Sequence, residues 1–200
     1  MGNRIIVTIG REHGSGGRSI GRILAKALNV PFYDRELISL TAKESGLAEE
    51  FIGKVEQQRH IGSYLYDMFV TANTLPIHDQ VYLAQSRVIE QVARESCVIV
   101  GRCADYILRD CPDCLNVFIY APLEERVRRV TGEYRDPVEG DPAAWIRKMD
   151  KRRASYYNYM TQRDWGKASN YDLCVNSRLG MEETADVILA ACRHFRGGSE

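Results

Sequence analysis

Two hydrophobic patterns alternate along this chain, namely short apolar runs and longer stretches with helical periodicity. Short apolar runs bounded by turn residues are typical of buried parallel strands. Five runs are predicted as strands: Arg4–Ile9, Val30–Tyr33, Cys97–Val100, Leu115–Tyr120 and Tyr171–Asn176. Because helical stretches separate most of these runs, the pattern predicts an α/β fold with a five-stranded, mainly parallel sheet.

The helical stretches place apolar residues three and four positions apart. Between the first two strands this spacing forms one continuous stripe: Ile20, Ile23, Leu24, Ala27 and Leu28. Further helices are predicted over Leu37–Ser45, Glu49–Val70, Ile77–Glu95, Pro122–Val130, Ala143–Arg163 and Met181–Phe195. Since residues 35–96 contain no predicted strand, they form either a helical insert or a long helical excursion that covers the sheet.

Composition restricts the class of protein. The chain has 200 residues, of which 44% are hydrophobic, enough for one ordinary globular domain. Its 27 basic and 27 acidic residues cancel, so bulk charge gives no support to nucleic acid as a partner. Apolar runs of membrane-spanning length and a signal-peptide core are both absent from the sequence. We therefore expect a cytoplasmic protein without a membrane partner.

Six cysteines raise the question of disulfides or metal. Cys97 and Cys174 fall in predicted strands and Cys192 on an apolar helical face, where reduced cysteine acts as a small hydrophobic residue. Cys111 and Cys114 form a single C-x-x-C pair. A structural zinc site usually requires two such pairs, so the spacing favours a turn before the fourth strand over a metal site.

The most informative local motif is the glycine-rich stretch Ile9–Ser19, which joins the first strand to the first helix. Glycines there allow backbone N–H groups to converge on phosphate oxygens, and the helix N-terminus favours negative charge. The common phosphate-binding loop reads G-x-x-x-x-G-K-[ST]. Here Arg11 occupies the place of the first glycine and Gly17 that of the lysine. A plain glycine turn is the alternative interpretation.

The predicted nucleotide-binding residues occupy this loop: Gly14, Ser15, Gly16, Gly17, Arg18 and Ser19. Ser19 lies where a hydroxyl can bind Mg²⁺ at the helix start. Arg18 offers the cation for phosphoryl transfer, a reaction that depends on positioning and on neutralising charge.

The loop, together with Phe32-Tyr33-Asp34, Gly101-Arg102 and Ala121–Arg129, resembles the cytidylate kinases and, more closely, the cytidylate kinase-like family. In cytidylate kinases the loop reads G-x-G-K-G-T, which aligns without a gap to Gly14–Ser19. The resemblance implies a three-layer P-loop kinase fold with a core over residues 1–34, 97–133 and 168–200. It also implies a helical acceptor-binding insert over 35–96 and a lid region over about 134–167.

The resemblance carries roles to two acceptor-side residues. Asp34 matches the aspartate of a D-S-G motif and would lie beside Mg²⁺ and the acceptor, with a helix N-cap as the alternative. Arg102 matches the arginine of a G-R-D motif, which holds the acceptor phosphate, with an ordinary surface arginine as the alternative. Leu40 and Cys103 replace two further acceptor contacts of the family.

The basic helix predicted over Ala143–Arg163 resembles the family's lid. Asp150 and Arg152 fit the lid spacing best, and Arg153 and Arg147 are neighbours. The resemblance implies that Arg152 and Arg153 close over the phosphates during transfer. A solvated cationic helix face is the alternative interpretation.

Several other side chains have more than one interpretation. Arg126 and Arg129 match an arginine pair of the family, although salt bridges with neighbouring glutamates are equally consistent with the sequence. His13 is predicted to shape the loop or to lie near a phosphate. An aromatic cluster is predicted to pack in the core rather than to stack on a base: Tyr156, Tyr157, Tyr159, Trp165 and Tyr171.

Three functions are compatible with these residues. The first is ATP- and Mg²⁺-dependent phosphoryl transfer to a nucleoside monophosphate such as CMP or dCMP. The second is the same chemistry on another small acceptor, and the third is a nucleotide-binding regulatory module without kinase activity. The expected ligands are ATP and a small molecule, and the expected assembly is a monomer or a homodimer.

Overall fold

The sheet forms as the apolar runs predict. A computed structural model describes residues 4–49, 52, 77–134 and 137–195. In these ranges five parallel strands pair in the order β2-β3-β1-β4-β5. Their bounds are β1 Ile6–Arg11, β2 Phe32–Tyr33, β3 Cys97–Val100, β4 Cys114–Tyr120 and β5 Leu173–Asn176.

The main difference from the predicted strands concerns β1. It begins and ends two residues later than predicted, because its pairing with β4 continues until Arg11 lies opposite Ile119. Hydrogen bonding across the sheet, which local hydrophobicity does not report, therefore places Gly10 and Arg11 within the strand. Arg11 is thus positioned by the sheet rather than by the loop that follows.

Seven α-helices are described in the same ranges. They are α1 Gly17–Leu28, α2 Glu36–Ser45, α3 Ile77–Val92, α4 Ala104–Ile107, α5 Leu123–Arg128, α6 Pro142–Thr161 and α7 Met181–His194. One π-helical turn, Arg129–Glu133, continues α5, and two 3₁₀ turns, Ala168–Asn170 and Ser177–Leu179, flank β5. Of the predicted helix Glu49–Val70, all but residues 49 and 52 lies outside the described residues.

Helices cover both faces of the sheet, which confirms the three-layer fold. Alternate residues of each strand point to opposite faces. Val7 and Ile9 of β1 pack in a cluster with Leu24 of α1 and Ile188 of α7. Ile6 of the same strand packs in a second cluster that includes residues of α2, α3 and α4. The sheet is therefore buried from both sides, as expected for continuous apolar runs.

The position of β1 defines where a ligand can bind. β1 lies between β3 and β4, and the chain crosses from β3 on one side of β1 to β4 on the other, so the strand order reverses at this point. Clefts beyond the carboxyl ends of strands at such a reversal are the usual binding sites of open α/β sheets. Across the described parts of the chain, none of the helices has the length and apolarity that a membrane span requires.

Candidate active site

The glycine loop follows β1 and leads into α1. Gly14 and Gly16 adopt φ of 79° and 86°, values at which other residues are strained. A Cβ at Gly14 would also lie 2.9 Å from the carbonyl oxygen of Arg126. Both the positive φ and the lack of space therefore require glycine at this position. Gly16 precedes α1 and supplies no side-chain cap, which leaves first-turn N–H groups for the oxygens of a ligand.

The two serines of the loop have different surroundings. Ser19 lies in the first turn of α1 and lines a cavity above the loop. Ser15 is fully buried, and both its hydroxyl and its N–H donate to the carbonyl oxygen of Glu12, over 2.9 and 3.3 Å. Ser15 is also absent from the described cavity lining. Its side chain therefore shapes the loop, and its predicted contact with a nucleotide stays a prediction.

The cavity has a volume of about 800 Å³ and is lined by an excess of cationic side chains. Among the described lining residues, seven are arginines: Arg11, Arg18, Arg22, Arg35, Arg102, Arg152 and Arg153. Only Glu12 and Asp105 contribute carboxylates to that described lining. A concave site with this imbalance of charge attracts anions.

Arg11 is one of three cations of the described cavity lining that the sequence predictions missed, with Arg22 and Arg35. Its side chain is 21% exposed, and its Nη2 lies 3.9 Å from Oδ1 of Asp34. Burial lowers the pKa of Arg11 to about 9, and the charges of Arg153, Arg102 and Arg18 add to the effect, whereas Asp34 opposes it. The contributions of these three arginines indicate that positive charge is crowded around Arg11. The presence of Arg11 where the motif has its first glycine was the sequence signal that could have identified it as a site residue.

Asp34 pairs with the loop rather than capping a helix. Its carboxylate is 6% exposed and lies 2.6 Å from Nε of Arg18. The residue at the N-cap of α2 is Arg35, which makes no side-chain capping bond. The structure therefore excludes the N-cap alternative and places Asp34 beside the loop.

Arg102 lies on a strained turn at the end of β3. Gly101, Arg102 and Cys103 all have positive φ, at 77°, 60° and 54°. Left-handed conformations of non-glycine residues cost about 1–2 kcal/mol each and concentrate at functional sites. Nε of Arg102 donates to the carbonyl oxygen of Asp34 over 3.1 Å, which fixes the guanidinium in the cavity wall. Arg102 is thus a cavity residue rather than an ordinary surface arginine.

Helix α6 packs directly on the glycine loop. Its Asp150 accepts from the backbone N–H of His13 over 2.7 Å. Arg153 donates to the carbonyl oxygen of Arg11 over 3.4 Å and lies 3.1 Å from Nδ1 of His13. Arg152 and Arg153 both line the cavity, whereas Arg147 is exposed. The helix therefore presents two cations to the loop, which a purely solvated cationic face would not do.

Arg126 and Arg129 donate hydrogen bonds to carbonyl oxygens of the loop, those of His13 and Gly14. Arg126 lies between Asp150, at 2.5 Å, and Glu12, at 3.5 Å. Arg129 donates to the hydroxyl and the carbonyl oxygen of Ser177, both over 3.0 Å. Both arginines are buried, and their described partners are Asp150, Glu12 and Ser177 rather than the neighbouring glutamates of the alternative interpretation. These contacts span much of the chain, and no local pattern signals them.

The other end of the cavity is aromatic. Trp165 and Tyr171 pack on Phe118, with ring centroids 5.3 and 5.0 Å apart, and both also line the cavity. Tyr157 donates to Oδ2 of Asp105 over 2.6 Å. Burial raises the pKa of Asp105, although the hydrogen bond from Tyr157 opposes the shift. The predicted aromatic packing forms, and the same rings supply a cavity wall; Tyr159 is instead exposed.

Cys111 and Cys114 form the predicted turn, in which the N–H of Cys114 donates to the carbonyl oxygen of Cys111 over 3.2 Å. Both thiols are free. In the described ranges, histidine, cysteine and carboxylate side chains do not form any group of three or more that could hold a metal.

Comparison with known proteins agrees with this geometry. Residues 6–179 match the cytidylate kinase-like family. Among curated proteins, no sequence matches the chain. A solved structure of an uncharacterized protein from Eubacterium ventriosum is 28% identical, with a TM-score of 0.68 and coverage of 96% of this chain and 99% of that one.

More distant structures share the fold. Shikimate kinase from Aquifex aeolicus has a TM-score of 0.53 at 19% identity, with coverage of 97% of this chain and all of that one. A gluconokinase from Sinorhizobium meliloti has a TM-score of 0.54 at 15% identity, with coverage of 96% and 93%. The sheet, helices and loop described above therefore form a P-loop kinase fold.

Proposed function

Because the chain belongs to the cytidylate kinase-like family, we propose that it transfers the γ-phosphoryl group of ATP to a nucleoside monophosphate such as CMP or dCMP. The observation that carries the proposal is the cationic cavity over the glycine loop, with seven arginines among its described lining residues. Phosphoryl transfer spreads negative charge over the transferred group, and fixed cations stabilise that charge.

The two substrates have separate places in this proposal. The donor phosphates lie over Gly14, Gly16, Gly17 and the first turn of α1, where backbone N–H groups meet them. The acceptor phosphate lies beside Arg102, whose fork of donors suits bidentate binding of phosphate. The transferring group then lies between the loop and the cations of α6.

Arg18, Arg152 and Arg153 are the proposed cations for the transfer. Arg18 is oriented by its 2.6 Å contact with Asp34. Arg153 is oriented by the carbonyl oxygen of Arg11 and the ring of His13. Cations that are held in place before the reaction need little reorganisation when charge develops on the phosphoryl group.

Ser19 and Asp34 are the residues that would hold Mg²⁺. Mg²⁺ bound to a nucleotide takes one or two protein oxygens and completes its shell with phosphates and water. Ser19 lines the cavity, whereas the Asp34 carboxylate is not among the described lining residues and lies 2.6 Å from Arg18 of the loop, so Asp34 would bind the ion from behind the loop and in place of part of that contact. When bound, Mg²⁺ neutralises charge on the phosphates.

The proposed test is transfer of the γ-phosphoryl group from ATP to a panel of acceptors. The panel contains CMP, dCMP, UMP, AMP and GMP, with shikimate and gluconate for the alternative small acceptors. We expect Mg²⁺-dependent phosphorylation of CMP or dCMP above the other acceptors. Preference for a non-nucleotide acceptor would overturn the acceptor class. Tight ATP binding without transfer to any acceptor would favour the regulatory module instead.

A pair of variants on α6 tests whether the cations of the cavity carry the reaction. Arg152→Ala removes a side chain that lines the cavity, and we expect kcat to fall about 10- to 1000-fold. Lys151→Ala is the matched control, because Lys151 is an exposed cation of the same helix and is not among the residues described as lining the cavity. Equal activity of the two variants would contradict the proposed role of Arg152.

A further inference from the structure

The glycine loop lacks the lysine of the common motif, but the structure contains a cation at the other end of the same loop. Arg11 stands where the motif has its first glycine, and Gly17 stands where it has lysine. The two departures are next to each other in space. A Cβ on Gly17 would lie 2.7 Å from Cβ and 2.9 Å from Cγ of Arg11.

That proximity makes the two residues mutually dependent. Real Cβ atoms essentially never approach another heavy atom to less than 3.0 Å. A side chain at position 17 and the side chain of Arg11 therefore cannot both occupy their places without a shift. Since the crowding involves the first two carbons of Arg11, rotation at the far end of the side chain would not relieve it.

A second glycine, from a different loop, accommodates the guanidinium. Gly101 follows β3, and a Cβ at this position would overlap Nη1 of Arg11. The stem of Arg11 thus passes Gly17 and its guanidinium lies over Gly101. Two glycines from separate segments form one groove for this arginine, which directs it along the floor of the cavity.

The charges around Arg11 indicate what it can bind. Arg18, Arg102 and Arg153 all act on it as like charges, and Asp34 is the nearby carboxylate, 3.9 Å from Nη2. Asp34 and Asp150, whose Oδ1 lies 3.8 Å from Nη1 of Arg153, are two carboxylates against these four cations and do not neutralise them. A polyphosphate with several negative charges, held by the adjacent loop N–H groups, would do so.

We propose that Arg11 and Gly17 have exchanged the roles of the motif's first glycine and lysine, so that Arg11 binds the β- and γ-phosphates of the donor nucleotide. Gly17 then provides the space through which the Arg11 stem passes. The inference rests on the proposed use of ATP, but it concerns phosphate binding and is tested without phosphoryl transfer. Arg18 is engaged with Asp34 and contributes to phosphate binding only from the exposed side of the loop. The inference therefore assigns to Arg11 the phosphate-binding charge that the motif's lysine would supply.

Calorimetric binding of ATP–Mg²⁺ and of inorganic triphosphate to the full chain tests the charge of Arg11. Arg11→Met keeps an unbranched stem in the groove and removes the cation, and we expect it to weaken both ligands about 10- to 100-fold. Arg11→Lys keeps the charge and should recover part of the affinity. Arg87→Ala, which removes an arginine that is 71% exposed on α3, is the control and should bind as the wild type does.

A swap of the two residues tests the exchange itself. Gly17→Lys alone crowds Arg11 and should weaken ATP–Mg²⁺ binding. Gly17→Lys combined with Arg11→Gly restores the order of the common motif and should bind more tightly than either single variant. Thermal unfolding of each variant verifies that it is folded. If a variant of the swap is unfolded, the comparison of Arg11→Lys with Arg11→Met still tests the charge at position 11, because both leave Gly17 unchanged.

The outcomes separate this inference from the proposed function. Wild-type affinity in Arg11→Met, or simple additivity of the two changes in the swap, would overturn the exchange. Suppose that the wild type transfers phosphate to no acceptor and that Arg11→Met loses triphosphate binding. This result would overturn the proposed function and retain the inference.

Discussion

Asp150 of α6 accepts a hydrogen bond from the backbone N–H of His13 in the glycine loop, over 2.7 Å. Its other carboxylate oxygen accepts from Arg126 over 2.5 Å. A single side chain thus ties together the loop, α5 and α6. Because the carboxylate is 15% exposed and its arginine partner 9% exposed, this contact is largely shielded from solvent.

Replacement of Asp150 should destabilise the fold. Asp150→Ala leaves Arg126 with Glu12 at 3.5 Å as its described carboxylate partner, and it removes the acceptor of the His13 N–H. We expect the free energy of unfolding to fall by about 2–3 kcal/mol, as for a partly buried charge that loses its partner. Urea denaturation measures it. Asp164→Ala, at a side chain 75% exposed, is the control; an equal loss there would contradict the role of Asp150.

Ser177 should affect both stability and nucleotide binding. Its buried hydroxyl donates to the carbonyl oxygen of Ser15 over 2.6 Å and accepts from Arg129 over 3.0 Å. Ser177→Ala leaves these partners incompletely bonded, so we expect a loss of about 1–3 kcal/mol in unfolding free energy. The loop is also released, and ATP affinity measured by calorimetry should fall. Ser155→Ala, at an exposed position of α6, should change neither quantity.

Asp105 should make stability depend on pH. Burial raises its pKa above the ordinary value of 3.8, against the opposing effects of Tyr157 and Arg163. The folded state therefore holds this proton more tightly than the unfolded state. The contribution of the protonated carboxyl to stability is present below pH 3.8 and is lost as pH rises through the folded-state pKa.

Asp105→Asn removes this titration. The unfolding free energy of the variant relative to the wild type should rise with pH above 3.8 and level off once the wild-type carboxyl ionises. Denaturation curves at several pH values give the difference. Asp110→Asn, at a side chain 86% exposed, is the control. A difference for Asp105→Asn that stays constant with pH would contradict the assignment.

Gly101 offers a test of the Arg11 groove from outside the loop. Gly101→Ala adds a Cβ that overlaps Nη1 of Arg11 and should displace the guanidinium. We expect ATP affinity to fall about 10-fold and stability to fall by about 1 kcal/mol, the latter from the positive φ of 77°. Calorimetry and urea denaturation measure the two effects.

Gly46→Ala separates strain from crowding. Gly46 has nearly the same φ, 71°, but an added Cβ meets nothing within 4 Å. It should show the same loss of stability and leave ATP affinity unchanged. If both variants weaken ATP binding equally, backbone strain rather than displacement of Arg11 is responsible.

The sequence predicted the elements well because their signals are local. Five apolar runs became five strands, and the stripe that includes Ile20 and Leu24 became the buried face of α1. The glycine loop was placed correctly between β1 and α1, since strand, glycines and helix succeed one another along the chain. Hydrophobic period and turn chemistry depend on neighbours a few positions apart, so a linear pattern contains them.

The sequence by itself thus determined the three-layer fold, the loop and the helix that carries Arg152 and Arg153. Only the tertiary structure decided that β1 extends to Arg11 and that Arg11 lies against Gly17 and Gly101. Asp150 and His13 are 137 positions apart, and Ser177 and Ser15 are 162 apart. Such contacts arise when strands pair and helices pack, and no local periodicity specifies which distant side chains then meet.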